Sequence, residues 1–525
     1  MSRSTARVLT VLTLAFAAAV RAQPSTAATS PGTEPGEAER QTQVEQHTPP
    51  PAPPAPPLTL EECIAFAMKK NFDVTIEGYS VQQAREALIS AKSNFDPTLT
   101  AAATRTVQQA ASATSRLDGV TYDGLRTDNM SMQVGASQRL PQTNGTLNLA
   151  ANSTRGASNS SNNFLNPTFG NGVSASLNQP LLKNAGSTIA RSQVRRSALG
   201  VTIAELNYRS RVLSVIRDTE NAYYNLVAAR ETLRIRELSR ELAQKLYEEN
   251  QARRATGLAT DLDVATAQVG VANARRAVLQ ADESVRDAED ALLALINVPT
   301  LDVRPGPVSF QDYTGPAPVF AVSYKLARDY YPDTLSMADT IKQMQIDLAV
   351  AKKNQLPSLN LNAALGYSAR PTDQGYWQAI DNLPNEHGSN WTVGLVYTWP
   401  WGRRGDKANY RATLEGLKAQ QAKLDQLELQ LLVDVRSAVR AVDTNLASVQ
   451  IAAEATQLAA KQYDLQKARF DAGLSTSRLV LQAQDDLETA RVNELSAKAT
   501  LWSALAELHR LEGSSIDQFH IQLPQ

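Results

Sequence analysis

The sequence predicts an α+β membrane protein in which long paired helices are continued by membrane-facing strands, the whole built as an internal duplication. Three observations carry this. The stretch ARRATGLAT (252–260) returns as ARFDAGLST (468–476), with Ala, Arg, Gly, Leu and Thr at the same spacings. Apolar residues run at strict three-four spacing through two long segments, the mark of a helical seam. Between the helical segments lie stretches that alternate apolar and polar, one of them with Trp at both ends of its apolar face.

The chain opens with a targeting segment. Arg3 and Arg7 precede the apolar run VLTVLTLAFAAAV (8–20), which is too short to span a bilayer. Residues 1–22 therefore read as a signal peptide, with the mature chain starting near Gln23. Residues 23–57, ending in PPPAPPAPP, read as a disordered Pro-rich spacer. Export raises the question of disulfides, but Cys63 is the sole cysteine and cannot bridge internally. It reads as a small buried apolar residue. No other apolar run approaches a membrane helix, so any crossing of the membrane falls to strands.

Helical structure begins at LTLEE, where Thr59 can cap and Glu62 can close a capping box. From there the landmarks repeat in order. AKSNFDPTLT (91–100) matches AKKNQLPSLN (351–360) at an offset of 260, Pro180 matches Pro400 at 220, and the Gly-Leu turns match at 216. Three agreeing landmarks make a duplication. Residues 58–300 form the first repeat, 301–321 a linker, 322–513 the second repeat and 514–525 a tail. Because the offset falls by 40 between the proline landmarks, the first repeat carries an insertion. Its PQTNG reads as a tight turn, so four strands are expected across 98–180 and two across 359–400.

In WTVGLVYTWPW, Trp391, Val393, Leu395, Tyr397 and Trp399 share one face, as in the aromatic girdles that flank a bilayer band. The stretch between Pro97 and Pro180 holds eight charged residues and neither Lys nor Glu, which suits strands placed between lipid and a polar lumen. Six strands make a poor barrel for a wide pore, so several copies sharing one barrel are expected. The helical seams are Val212, Val215, Thr219, Ala222, Leu226, Ala229 and Leu233 in one half, and Leu424, Leu427, Leu431, Val435, Ala438, Val442, Leu446 and Val449 in the other. Return helices near 261–297 and 477–511, with short helices near 59–95 and 322–355, supply partners along their length.

LTLEECIAFAMKKN, QPLLKNAG, and GLATDLDVATAQ with its echo GLSTSRLVLQAQ together resemble the TolC-like outer membrane efflux protein family, over about Leu58 to Gly513. The resemblance implies a homotrimer: a shared β-barrel in the outer membrane, continued through the periplasm by an α-helical coiled-coil barrel. It implies an exit duct of a tripartite efflux or type I secretion system, passively conducting what an inner-membrane pump delivers through a periplasmic adaptor. Gly257, Leu258, Thr260, Gly473, Leu474 and Thr476 would then be the tips that meet the adaptor, with Gly allowing the reversal, Leu offering an apolar knob and Thr capping the return helix. Trp391, Tyr397 and Trp399 would form the membrane girdle.

The gate departs from the family pattern. Asp263 stands where the family places a gate-locking acid, but the usual Tyr and Arg partners fall at Phe470 and Ser475. Arg478 is a candidate replacement. The acidic constriction would fall at Leu479 and Gln482, neither acidic, while Asp485 and Asp486 one turn on could supply a carboxylate ring.

Other classes fit less well. His47, His387, His509 and His520 lack metal-ligand spacing, and no phosphate-binding loop or nucleophile elbow occurs, so no enzyme, metal or cofactor is expected. The balance of 52 basic and 53 acidic residues gives no footprint for nucleic acid. A barrel-anchored structural or adhesive trimeric stalk would need no duplicated hairpin with matching tips. A soluble periplasmic adaptor would not need the girdled strand.

Overall fold

The computed structural model describes residues 59–521, apart from 115–118, 120, 123, 161–163, 298–307, 309, 311–312 and 314. The signal peptide, the Pro-rich spacer and much of the 301–321 linker lie outside the described residues. In chain order come helices α1 (Leu60–Lys70) and α2 (Phe72–Ser93), then strands β1 (Thr98–Gln109), β2 (Arg126–Arg139), β3 (Thr146–Ser158) and β4 (Thr168–Pro180). The hairpin α3 (Ser192–Ala255) and α4 (Asp261–Ile296) follows. The second half runs α5 (Phe320–Tyr330), α6 (Pro332–Asn354), β5 (Ser358–Ala369), α7 (Tyr376–Asn385), β6 (His387–Thr398), α8 (Arg404–Asp471) and α9 (Ser477–Glu512). A two-residue ladder (Ala113–Thr114 with Thr121–Tyr122) and single helical turns at Ser187–Ala190 and Ser515–Gln518 complete the described elements.

Local chemistry explains where the helices start and stop. Thr59 Oγ1 accepts from the Glu62 N–H at 3.2 Å, and Glu62 Oε2 accepts from the Thr59 N–H at 3.0 Å, so the capping box forms. Cys63 is fully buried, and burial pushes its thiol up to about 12, which leaves it inert. The two short helical segments each break into two, where the sequence pattern suggests one. Asn71 ends α1 and caps α2, its Oδ1 accepting from the Asp73 and Val74 N–H groups at 2.8 and 3.3 Å. In the second half the break falls at Pro332, the first residue of α6, because proline suits a first helical turn and ends the helix before it.

The six long strands form one antiparallel meander in the order β1-β2-β3-β4-β5-β6. Its register keeps each face consistent across the sheet. Leu99 stands opposite Ala136, then Leu149, Ala175, Leu365 and Trp391 follow strand by strand. The neighbouring row on the other face reads Thr100, Gly135, Ala150, Ser174, Gly366 and Asn390. One face is thus apolar and the other small and polar. A one-residue slip anywhere would mix them. α7 covers the apolar face at Phe169, and elsewhere among the described residues that face is open, with Leu99 79% and Trp391 76% exposed.

The helical part has two main cores. In the first, α1, α3 and α4 bury Cys63, Ile64, Val212, Ile216, Leu226 and Leu292. In the second, α8 and α9 bury Leu431, Val435, Val442, Leu501, Leu505 and Leu508. Trp502 stacks on Tyr224 at 4.8 Å and joins the two cores. Seam residue Thr219 is buried with its hydroxyl donated to the Val215 carbonyl at 2.7 Å.

Glu220 beside it is a buried carboxyl whose Oε2 finds no hydrogen-bond partner among the described residues. Burial raises its pKa to about 8 from 4.5. The folded state therefore holds a proton that the unfolded state releases near 4.5, and stability falls as pH rises from there to about 8. The expected loss across that window is on the order of 3–5 kcal/mol. Glu220→Gln should flatten it, raising the thermal midpoint at pH 8.5 and leaving it nearly unchanged below pH 5. Equal pH slopes in the two proteins would disprove the assignment.

Candidate functional site at the hairpin tips

At the ends of α3 and α8 the chain reverses with the same geometry. The Gly257 and Leu258 N–H groups donate to the Arg254 and Arg253 carbonyls at 3.0 and 2.8 Å. Gly473 and Leu474 donate to Phe470 and Arg469 at 2.9 and 2.8 Å. This is the Schellman ending, which needs a left-handed residue after the cap. Gly257 (φ +75°) and Gly473 (φ +76°) supply it. The apical leucines project freely, Leu258 80% and Leu474 73% exposed.

The return helices start differently. Thr260 Oγ1 accepts from the Asp263 N–H at 3.2 Å, and Asp263 Oδ2 accepts from the Thr260 N–H at 2.9 Å and its hydroxyl at 2.6 Å. These bonds to Thr260 hold the Asp263 carboxyl below the usual range. Thr476, expected to cap in the same way, makes no side-chain cap bond. The residue three further on is Leu479, which has no carboxylate to hold the hydroxyl in place.

The two tips are joined by contacts that sequence reading passed over. Phe470 is buried with Leu246 and Val480. The Arg253 guanidinium lies over its ring at 4.1 Å and donates to its carbonyl at 3.0 Å. Lys467 pairs with Glu249 at 2.6 Å and Asp471 at 3.1 Å. Just behind, the buried Ser477 hydroxyl donates to Asn250 Oδ1 at 2.7 Å, and Gln484 Nε2 donates to the Ser239 carbonyl at 2.6 Å. An Arg236–Glu488 ion pair closes the series. A signal for it was present: the repeats differ here, Arg254 in one and Phe470 in the other, inside an otherwise matched stretch.

Of the gate candidates, Asp263 is engaged by its own helix cap and forms no ion pair with Arg478 within the chain among the described residues. Arg478, Gln482, Asp485 and Asp486 all lie exposed on the first turns of α9. Desolvation of the Asp485 carboxyl where α9 faces α3, together with the neighbouring Asp486, raises its pKa. Ser475 accepts from Gln466 Nε2 at 3.0 Å. At the other end of the chain, Tyr397 and Trp399 stack at 6.3 Å where β6 leaves the sheet, and Trp391 stands on the same face nearer the far end.

The family model for outer membrane efflux proteins matches residues 142–298 and 324–514, one stretch in each repeat. The chain belongs to the outer membrane efflux protein family. The pyoverdine export outer membrane protein OpmQ of Pseudomonas aeruginosa is 24% identical over 405 residues, covering 74% of this chain and 81% of its own. The fold is that of the Campylobacter jejuni CmeC outer membrane channel (TM-score 0.65, 18% identity, 89% and 90% of the two chains). It is likewise that of the open Neisseria gonorrhoeae MtrE channel (TM-score 0.62, 19% identity, 87% and 89%). This outer membrane efflux protein therefore resides in the outer membrane and extends into the periplasm. Among its described residues no helix is long and apolar enough to cross a membrane.

Proposed function

We propose that this chain is the outer-membrane exit duct of a tripartite efflux or type I secretion system. Three copies share one barrel and one helical tunnel, built from two structural repeats, 58–300 and 322–513. Conduction is passive, with energy supplied by an inner-membrane transporter reached through a periplasmic adaptor. The observation that carries this reading is the pair of matching tips. Each sits at the end of a helix of 64 or 68 residues, on the order of 100 Å from the sheet at 1.5 Å per residue. Each ends in an exposed leucine that no contact inside the chain requires.

The gate in this reading uses Asp263 and Arg478 between neighbouring copies, with Gln482, Asp485 and Asp486 as its lining. The relative named for pyoverdine export makes pyoverdine the first cargo to try. The test is the native mass of the protein after gentle detergent extraction of separated membranes. A trimer from the outer-membrane fraction is expected. A monomer, or recovery in the soluble periplasmic fraction, would overturn the duct.

A further inference from the structure

The sheet contains a hairpin that the duplication does not account for. β1 and β5 correspond residue for residue, both ends at an offset of 260, and β4 corresponds to β6. β2 and β3 have no counterpart. They are nevertheless part of the wall: β2 pairs with β1 along the full length Thr98–Gln109, and β3 pairs with β4 from Thr146 to Gly156. Both continue the two faces of the sheet, with Met132, Val134, Leu147, Leu149 and Ala151 on the apolar side.

The hairpin is also anchored at its helix-side turn. Asn144 takes the left-handed conformation (φ +66°), donates to the Asn184 carbonyl at 2.7 Å and accepts from Arg139 Nε at 2.7 Å. The Thr143 carbonyl accepts from the Gly186 N–H at 3.2 Å and Gln179 Nε2 at 3.1 Å. The insertion is thereby tied to the segment that carries the wall into α3.

The polar face is nearly free of charge. Apart from Arg139 at the helix-side rim, every residue on it is Ser, Thr, Asn, Gln, Gly, Ala, Val or Pro. The charged trio Arg105, Asp128 and Arg155 lies on the apolar side, toward the end away from the helices. α7 also packs on that side, Tyr376 against Phe169 at 4.7 Å and Met130 at 3.6 Å, and so does not fill the mouth.

We propose that the added hairpin widens the barrel to eighteen strands, giving an uncharged bore that selects cargo neither by charge nor by size, and that leaves selection to the helical end. This rests on the reading that three copies share one barrel, the free edges of β1 and β6 being completed by neighbouring copies. At a strand spacing of about 4.8 Å and a tilt of about 40°, eighteen strands close at a backbone diameter of about 36 Å, and twelve at about 24 Å. Inward side chains take about 5 Å from each side, leaving about 26 Å against about 14 Å.

The experiment uses trimers in lipid nanodiscs, with a small water-soluble maleimide and a maleimide-polymer about 20 Å across, between those two bores. The buried native Cys63 gives no background. Ser131→Cys and Asn152→Cys, on the polar face of the hairpin, should react fully with both reagents. Val134→Cys and Ala151→Cys, facing lipid, should react at least tenfold more slowly with both. Ser176→Cys on β4 should accept both reagents in the full chain, and only the small one after deletion of residues 113–158. If Ser131→Cys and Asn152→Cys trimers accept the small reagent and exclude the polymer, the wide bore is wrong while the duct stands. A native mass other than three copies removes the shared barrel and this proposal with it. Should the deletion variant not fold, the Ser131 and Asn152 result decides alone.

Discussion

Replacing Leu258 and Leu474 together by Asp is expected to abolish export in the protein's own host, with trimer yield and thermal midpoint unchanged. The two leucines project from turns whose shape is set by Gly257, Gly473 and backbone hydrogen bonds, so their side chains do not hold the fold. With 80% and 73% of their surface open to water, they lose little stability on replacement. If an adaptor covers them, each leucine contributes about 1.5–3 kcal/mol on burial. An Asp in its place must also be desolvated. Even one such loss is about tenfold or more in affinity, and the proposed trimer would present six leucines to that adaptor. In-cell photo-crosslinking from positions 259 and 475 should lose its adaptor band in the double variant. An undiminished band, or normal export, would remove the tips from the docking surface. Leu258→Met with Leu474→Met should keep both, since the apolar knob is retained.

The architecture was legible because it rests on local periodicity. The seams through Val212–Leu226 and Leu431–Val442 repeat at coiled-coil spacing, and they are the residues the helices bury. The alternation in 391–399 fixed one face, and register carried that face across six strands. Helix α7 was missed because it is ten residues long, contains Pro384 and shows too few turns for a period to emerge. The breaks at Asn71 and Pro332 were missed because the apolar pattern continues through them, while one side chain or one ring decides the cap. The tip contacts were the hardest to see. Arg253 and Phe470 lie 217 positions apart, and no spacing rule connects residues on separate helices. Thr476 shows the limit of arguing from a repeat: its motif matches Thr260, but the carboxylate that completes the cap at Asp263 is absent.

Those tip contacts give the second large effect. α3 and α8 are held together near their ends by the Phe470 cluster, the Arg253 bonds and the Lys467 pairs. Parting the hairpins there requires the loss of few groups, whereas parting them at Trp502 would open the main cores. In the proposed duct, the tips are therefore where the tunnel would widen at least expense in free energy. Phe470→Ala removes the ring that Arg253 and Lys467 both cover, at a cost of about 3–5 kcal/mol. It should shift the resting channel toward the open state, seen as at least tenfold more frequent openings in planar bilayers and as leakage of periplasmic dyes. Lys467→Ala alone should do less, because its pairs are partly exposed to solvent. The opposite change locks the tips together. Asn250→Cys with Ser477→Cys puts two thiols where a 2.7 Å hydrogen bond now joins α3 to α9. In an oxidising compartment the pair should crosslink, holding the tips together and blocking export until a reductant is added. Were the oxidised protein to conduct like the parent, the tunnel would have to open without separating these helices, and the contacts around Phe470 would be packing alone.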